Sequence, residues 1–140
     1  MQYYEVKPLG KPPESVEHYL ETILMLGYNG NPVRSVDIAN DTGFSKPSIS
    51  VAMKNLKARG YIVVGEQGRI TLTESGREIA QKIYDRHALI SDWLIFLGVD
   101  KDTAVQDACK VEHYLSDESF AAIQKHINSL PNSLPRASAP

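Results

Sequence analysis

The sequence predicts a mainly α-helical protein with one small β-hairpin. Three observations support this fold class. Apolar residues recur at helical spacing along most of the 140 residues, and cap-forming Ser or Thr residues precede several of these stretches. The only two short segments rich in β-branched residues are separated by a loop that contains glycine. At 42% apolar and 23% charged residues, the composition is typical of a globular protein.

The first predicted helix runs to about Leu26, with Ser15 as its N-cap. Residues 1–12 contain Pro8 and Pro12 and are interpreted as an extended arm. Residues 27–32 are rich in Gly, Asn and Pro and are predicted to form a loop. The helix itself has an apolar stripe formed by Val16, Tyr19, Leu20, Ile23, Leu24 and Leu26.

The next segment has the order of a winged helix-turn-helix. Residues 33–40 predict a short helix, and a turn containing Gly43 follows. A second helix is predicted at 46–59, with Ser45 as N-cap and Pro47 in its first turn. Strands at 61–64 and 69–73, joined by residues 65–68, complete the pattern as a hairpin. This arrangement commonly places the start of its second helix in the DNA major groove.

One face of that second helix is predicted to bind double-stranded DNA. Ile49, Met53 and Leu56 recur on the inward side, which leaves polar and small side chains outward. The segment between Arg34 and Arg77 contains seven Lys or Arg and four acids, whereas the whole chain has a net charge of −2. Basic residues suit contact with phosphates, and small polar residues suit base edges. The candidate DNA-binding residues are Ser45, Lys46, Pro47, Ser48, Ser50, Val51, Lys54, Lys57, Arg59 and Arg69.

The second half of the chain is predicted to be all helical. A long helix at about 74–97, capped near Thr73, is followed by helices at 101–115 and 117–130, the last capped by Ser116. The predicted domains are therefore a DNA-binding domain at 1–73, a helical metal-binding and dimerisation domain at 74–130 and a flexible tail at 131–140. The apolar residues proposed for burial between two copies are Trp93, Leu97, Tyr114, Leu115, Phe120, Ile123 and Ile127.

Residues 109–113 form the motif with the most distinctive chemistry. On a helix, Glu112 and His113 lie about 60° and about 40° around the axis from Cys109, so the three share one face. A thiolate, a carboxylate and an imidazole together form a large part of a divalent transition-metal site. His18 and Glu21 form a second such pair at i, i+3.

The chain resembles the diphtheria-toxin-repressor and manganese-transport-regulator family of metal-dependent repressors. The matching segments run in order over about residues 14–127. They are VEHYLETI (16–23), DIA (37–39), SKPSIS (45–50), LTESG (72–76), RHAL (86–89), GVD (98–100) and DACKVEHYLSD (107–117). The chain resembles the short, two-domain members, which lack an SH3-like third domain.

The resemblance implies a divalent-metal cofactor, a homodimer and a palindromic DNA operator. It places metal ligands at His18, Glu21, His87, Cys109, Glu112 and His113. Short manganese regulators usually have aspartate in place of His18 and a bridging glutamate in place of Cys109. Ser91 and Val105 stand where iron-type members have further ligands, so the ancillary site of those members is not expected here. Thiolate and imidazole favour Fe²⁺, Co²⁺ or Zn²⁺, but Mn²⁺ remains open because availability can outweigh affinity.

The predicted function is a non-enzymatic, metal-activated repressor of metal-uptake genes. The single cysteine cannot form an internal disulfide, and no secretory signal or membrane-spanning stretch is visible, which predicts a cytoplasmic location. An alternative is a winged-helix regulator in which Cys109 is a metal-independent redox sensor. A second alternative is a small metallohydrolase, which is disfavoured because the chain has no His-Glu-x-x-His helix and no Ser/His/Asp arrangement.

Overall fold

In the computed structural model, residues 16–130 are described. The predicted N-terminal arm, the Ser15 cap and the predicted C-terminal tail lie outside these residues. The described chain confirms a mainly helical fold with one hairpin. Its helices are α1 Val16–Leu26, α2 Ser35–Thr42, α3 Lys46–Ala58, α4 Glu74–Phe96, α5 Lys101–Val111 and α6 Asp117–Asn128, and its strands are β1 Ile62–Val64 and β2 Ile70–Leu72.

Helices α2 and α3 form the helix-turn-helix that the sequence predicts. Gly43 ends α2 at φ +74°, a left-handed conformation that favours glycine because it has no Cβ. Two residues later, the Ser45 hydroxyl accepts a hydrogen bond from the amide of Ser48 and caps α3, with Pro47 in the first turn. The turn is therefore short, and both of its ends are fixed by local interactions.

The wing is an antiparallel hairpin in which Val63 pairs with Thr71. Its 3₁₀ turn, Glu66–Gly68, contains Gln67 at φ +59°. Val33 adds to the hairpin, since its carbonyl oxygen accepts from the amide of Ile70 at 2.7 Å. The N-cap Arg34 is extended, so α2 begins at Ser35 and not at Val33, where the sequence predicted its start.

We call α2, α3 and the wing the reading head. The first turn of α4 packs directly on its end. The Thr73 hydroxyl caps the helix by accepting from the Gly76 amide at 3.2 Å. A Cβ atom on Gly76 would lie 2.1 Å from the carbonyl oxygen of Tyr61. Glycine is needed here because the helix and the segment leading into β1 approach each other closely.

One apolar core joins α1 to the helix-turn-helix, the wing and the start of α4. Its fully buried members include Leu20, Ile38, Ile49 and Leu56. The three α3 residues predicted to face inward, Ile49, Met53 and Leu56, are all buried. In the second half of the chain, Ile83, Ile90, Ala104, Ala108 and Ile127 are buried where α4, α5 and α6 meet. No helix among residues 16–130 combines the length and apolar character needed to cross a bilayer.

Helix α5 ends earlier than the sequence predicted. It stops at Val111, and Glu112 to Leu115 form a turn that leads into α6, capped by Ser116 as predicted. Arg86 of α4 donates to the carbonyl oxygens of Glu112, at 3.3 Å, and Leu115, at 2.6 Å. Carbonyl groups at and beyond the end of a helix have no partner within it, and Arg86 supplies a hydrogen-bond donor to two of them.

Candidate metal centre

Six side chains predicted as metal ligands lie in one region, between the reading head and the C-terminal helices. His18 and Glu21 come from α1, His87 from α4 and Cys109 from α5, while Glu112 and His113 occupy the turn after α5. They form two groups, in each of which the candidate ligand atoms lie within 4.8 Å of one another. We call them cluster A (His18, Glu21, His113) and cluster B (His87, Cys109, Glu112).

Cluster B combines nitrogen, sulfur and oxygen. The Nδ1 atom of His87 lies 2.9 Å from Oε2 of Glu112 and 3.6 Å from Sγ of Cys109. His87 and Glu112 are buried, whereas Cys109 is exposed. The cluster therefore combines one solvent-exposed thiol with two buried donors.

Cluster A contributes two imidazoles and one carboxylate. The rings of His18 and His113 have centroids 6.1 Å apart and cross at 75°. The Nε2 atom of His113 points toward Glu112 of cluster B, 3.4 Å from its Oε1 atom. The two clusters are thus contiguous, and Glu112 stands between them.

Cys109 and His113 are predicted to share one helix face, but they belong to different clusters. Cys109 and Glu112 stay together, as their i, i+3 spacing predicts. His113, which follows the C-cap Glu112, instead lies against His18 of α1.

Three buried polar atoms of these clusters make no hydrogen bond among residues 16–130, although two of them, Nε2 of His113 and Oε1 of Glu112, face each other at 3.4 Å. They are Oε2 of Glu21, Oε1 of Glu112 and Nε2 of His113. Buried polar atoms are rarely left without a partner, because desolvation then goes uncompensated. All three are atom types that coordinate divalent metals, so the residues present fit a metal ion.

The pKa values of four candidate ligands in the metal-free protein agree with this interpretation. Burial raises the pKa of Glu21 to about 8, and the carboxyl group of Glu112 adds to the effect. Burial also raises the pKa of Glu112 to about 8. Burial and the neighbouring His113 lower the pKa of His18, with Asp41 opposing them. Burial opposes protonation of His87 as well, but Cys109 and nearby carboxylates outweigh it, so its pKa is raised.

Two residues at the site were not singled out by the sequence. Oε2 of Glu17 lies 3.3 Å from Nδ1 of His113 and can orient that ring. Arg86 is buried beside His87 and contacts the turn that carries Glu112 and His113. It also contacts Asp117 and lies over the ring of Phe120, 4.9 Å from the ring centroid. The only signal for either was its position next to a predicted ligand, which is too common to be specific.

The residues predicted to bind DNA are all exposed. The Ser45 and Ser48 hydroxyl groups lie 2.9 Å apart at the start of α3, and Val51 is 60% exposed one turn further on. Lys57 and Arg59 lie at the end of the helix, and Arg69 precedes β2 on the wing. These side chains of α3 and the wing are therefore available for contact.

Several large apolar side chains are exposed around the metal clusters and the end of α4. Leu97 is 59% exposed, Phe96 46% and Tyr114 38%. Of the residues predicted for burial between two copies, Ile127 is already buried within this chain, and Phe120 is partly covered by Arg86.

Family models match nearly the whole chain in two parts. The model of the iron dependent repressor N-terminal DNA binding domain matches residues 13–68, and that of the metal binding and dimerisation domain matches residues 73–135.

Individual relatives agree with these matches. An uncharacterized HTH-type transcriptional regulator, MJ0568, of Methanocaldococcus jannaschii is 40% identical over 107 residues, which are 75% of this chain and 86% of the relative. The transcriptional regulator MntR of Escherichia coli O157:H7 is 32% identical over 117 residues, 81% of this chain and 76% of the relative.

Solved structures share the fold. The manganese regulator SloR superimposes with a TM-score of 0.72 at 26% identity, covering 83% of this chain and 54% of that one. A manganese-dependent transcriptional repressor in complex with manganese gives a TM-score of 0.73 at 28% identity, covering 80% and 52%. This chain thus spans about half the length of each of these two solved chains.

Proposed function

The chain belongs to the iron-dependent repressor family, and from that membership and the two donor clusters we propose that it represses metal-uptake genes when a divalent metal is bound. In this family the cofactor is a divalent transition metal, and the partners are DNA and a second copy of the chain.

One observation carries the proposal: buried donor atoms that make no hydrogen bond meet where α1 faces α4 and the turn after α5. His18 and Glu21 belong to the helix whose buried side forms the core of the reading head, including Leu20 and Ile23. The remaining donors belong to the C-terminal half. A bound divalent cation would supply positive charge that the carboxylates share and a common bonding partner for both halves.

The mechanism follows from what these residues do with and without that partner. Without it, two buried carboxyl groups face each other, and burial raises the pKa of each, which favours the protonated form. A ligand shifts a conformational equilibrium only by its differential affinity for the two states. The favoured state is the one in which α1 is held against α4 and the turn after α5. In that state the position of α3 relative to the C-terminal helices is fixed.

We infer that the six donors provide two adjacent positions, cluster A and cluster B, with Glu112 between them. Cluster A offers two nitrogens and one oxygen, and cluster B one nitrogen, one sulfur and one oxygen. Mn²⁺ and Fe²⁺ are the ions associated with the family, and the thiolate and imidazole donors favour Fe²⁺, Co²⁺ or Zn²⁺ in intrinsic affinity.

DNA binding is proposed for the exposed edge of α3 and for the wing. In a two-fold symmetric dimer, two copies of α3 would lie about 34 Å apart, or a multiple of that, and read a palindromic operator. The dimer contact is proposed for the helices after residue 73, where Leu97 and Tyr114 are exposed.

The redox-sensor alternative is not supported by the similarities to metal-dependent regulators. Cys109 lies beside His87, and a neighbouring histidine is as compatible with a thiolate that binds metal as with a thiol that reacts with oxidants. The relatives are transcriptional regulators, so we expect no enzymatic activity, and we expect the protein to act in the cytoplasm, where the chromosomal DNA of prokaryotes resides.

The test is DNA binding by fluorescence anisotropy, using a fragment selected for binding by the wild-type protein in metal. The binding measurement on this fragment is repeated in chelator, Mn²⁺, anaerobic Fe²⁺ and Zn²⁺. We expect tight binding with at least one metal and weak binding in chelator. Glu112→Ala should abolish the difference, whereas Glu118→Ala, an exposed acid on α6, should retain it. Equal affinity in chelator and in every metal would refute the proposal.

A further inference from the structure

Phe44 is the only residue between the C-cap of α2 and the N-cap of α3. Gly43 is the left-handed C-cap of α2, and Ser45 is the N-cap of α3. The amide of Phe44 donates to the Thr42 hydroxyl at 3.2 Å, which fixes its backbone. The ring is partly buried against the core. A shift of this ring therefore moves the backbone at which α3 begins.

The ring of Phe44 also contacts α1 at two consecutive residues. Its centroid lies 6.2 Å from that of His18, in an edge-to-face arrangement at 67°. It lies 5.9 Å from the ring of Tyr19, crossing at 65°. Such tilted ring pairs have preferred geometries, so each ring restricts the orientation of the other.

The same His18 ring belongs to cluster A, where its centroid lies 6.1 Å from that of His113. His113, His18 and Phe44 thus form a continuous row of three rings from the candidate metal donors to the cap of α3. Tyr19, the second ring of α1 in contact with Phe44, also lines an open groove along α3 with Pro47, Ser48, Val51, Ala52 and Asn55.

We propose that Phe44 is a positioning residue that couples ligation of His18 to the orientation of the amino-terminal turn of α3. The inference rests on the proposed function, since it requires His18 to be a ligand and α3 to read DNA. A ligand bond fixes the position and plane of the His18 ring, which in turn selects one position of the Phe44 ring. Coupling of this kind is a free energy shared by the two sites, so metal strengthens DNA binding by a measurable factor.

A purely structural role for Phe44 would have a different signature. Loss of core packing destabilises the reading head with and without metal, and it weakens DNA binding under both conditions. Loss of coupling instead reduces the ratio of the DNA dissociation constants in chelator and in metal. Tyr61 provides the matched comparison, because it is an aromatic residue that is partly buried against the same core and lies at the other end of α3.

The experiment compares the full-length wild type with Phe44→Leu, Phe44→Tyr and Tyr61→Leu. The enhancement of DNA affinity by Mn²⁺ and by Zn²⁺ is measured by anisotropy, and metal stoichiometry is measured by calorimetry without DNA. We expect Phe44→Leu to keep the stoichiometry but to lower the enhancement about tenfold. Phe44→Tyr retains the ring and should restore the enhancement, and Tyr61→Leu should leave it near the wild-type value.

Hydrogen exchange provides a readout that does not depend on DNA. Zn²⁺ should slow exchange of the amides at residues 48–51 in the wild type and in Tyr61→Leu, but not in Phe44→Leu. The proposal is overturned if Phe44→Leu and Tyr61→Leu reduce the enhancement equally, or if Phe44→Leu retains the full enhancement. A wild type whose DNA affinity ignores metal would refute the proposed function itself, and with it this inference. Intact enhancement in Phe44→Leu would refute the inference alone.

Discussion

The guanidinium of Arg86 donates to the carbonyl oxygen of Glu112, the residue that stands between the two candidate metal clusters. It donates as well to Leu115 and Asp117, so one buried side chain contacts both ends of the turn from α5 to α6. The adjacent residue, His87, contributes a donor to cluster B. The backbone conformation that presents Glu112 and His113 thus depends on a residue that is not itself a candidate ligand.

Replacing Arg86 with Met should lower the free energy of unfolding in chelator by about 2 kcal/mol. The change leaves buried carbonyl oxygens without their charged donor, and hydrogen bonds of this kind contribute more than neutral ones. Urea denaturation followed by circular dichroism measures the effect. Lys82→Met is the control, because Lys82 pairs with the same Asp117 but is mostly exposed. Equal losses in the two variants would contradict the role assigned to Arg86.

Glu17→Gln should weaken metal binding at cluster A by about 10–100-fold, the usual effect of losing a carboxylate that orients a ligand histidine. A glutamine amide can donate to Nδ1 of His113 and so favour the wrong tautomer, in which Nε2 carries the proton. Calorimetric titration with Mn²⁺ should show one weakened and one unchanged binding event. Glu78→Gln, on the exposed side of α4, is the control. Unchanged affinity in Glu17→Gln would show that the contact has no role in orienting His113.

Local interactions explain which parts of the fold could be predicted from the sequence. Ser45, Thr73 and Ser116 cap helices through hydrogen bonds to residues three positions along, so the sequence contains both partners. The early end of α5 was not predicted, and the turn that replaces its last residues is held by Arg86, which lies 26 residues from Glu112. The later start of α2 was also missed, because Val33 bonds to Ile70, which is distant in the sequence.

In the candidate site too, local pairs could be predicted from the sequence, and groupings that depend on distant residues could not. Spacing alone paired His18 with Glu21 and Cys109 with Glu112, and the structure keeps both pairs together. Spacing could not assign His113 to cluster A, because that grouping depends on how α1 packs against the turn after α5. Glu17 was likewise indistinguishable from any acid in the first turn of a helix.

Gly76→Ala should destabilise the protein by about 1–3 kcal/mol, the range for inserting a methyl group into a packed interior. The added Cβ would meet backbone atoms of Tyr61, which cannot move aside as a flexible side chain could. Thermal or urea denaturation measures the loss. Gly65→Ala is the matched control, since the nearest atom to its new Cβ is 3.8 Å away and its φ of −95° is accessible to alanine. A neutral Gly76→Ala would mean that the two segments separate more easily than their contact indicates.

The metal-free protein should become less stable as the pH rises from about 4.5 to about 8. Burial raises the pKa of Glu21 and of Glu112 from 4.5 to about 8, so in this window the folded state holds protons that the unfolded state has released. The free energy of unfolding falls with pH wherever the folded state binds more protons. Urea denaturation in chelator at successive pH values measures the slope. The double variant Glu21→Gln, Glu112→Gln should flatten it, and an equally steep slope in that variant would assign the dependence to other groups.

Cobalt binding should reveal whether the Cys109 thiolate is a ligand of cluster B. A thiolate bonded to Co²⁺ gives an intense ligand-to-metal charge-transfer band in the near ultraviolet, which oxygen and nitrogen donors do not produce. Sγ of Cys109 lies 3.6 Å from Nδ1 of His87, close enough for one ion to bond both residues. We therefore expect the band in the wild type and its loss in Cys109→Ser, with Co²⁺ affinity falling more than Mn²⁺ affinity because the softer ion depends more on sulfur. His126→Ala, an exposed residue outside both clusters, should leave the band unchanged. A band that persists in Cys109→Ser would have another origin, and a wild type that binds Co²⁺ without the band would exclude Cys109 from the coordination sphere. The latter result would leave cluster B with only His87 and Glu112 as donors, a pair that resembles the oxygen- and nitrogen-based sites suited to Mn²⁺.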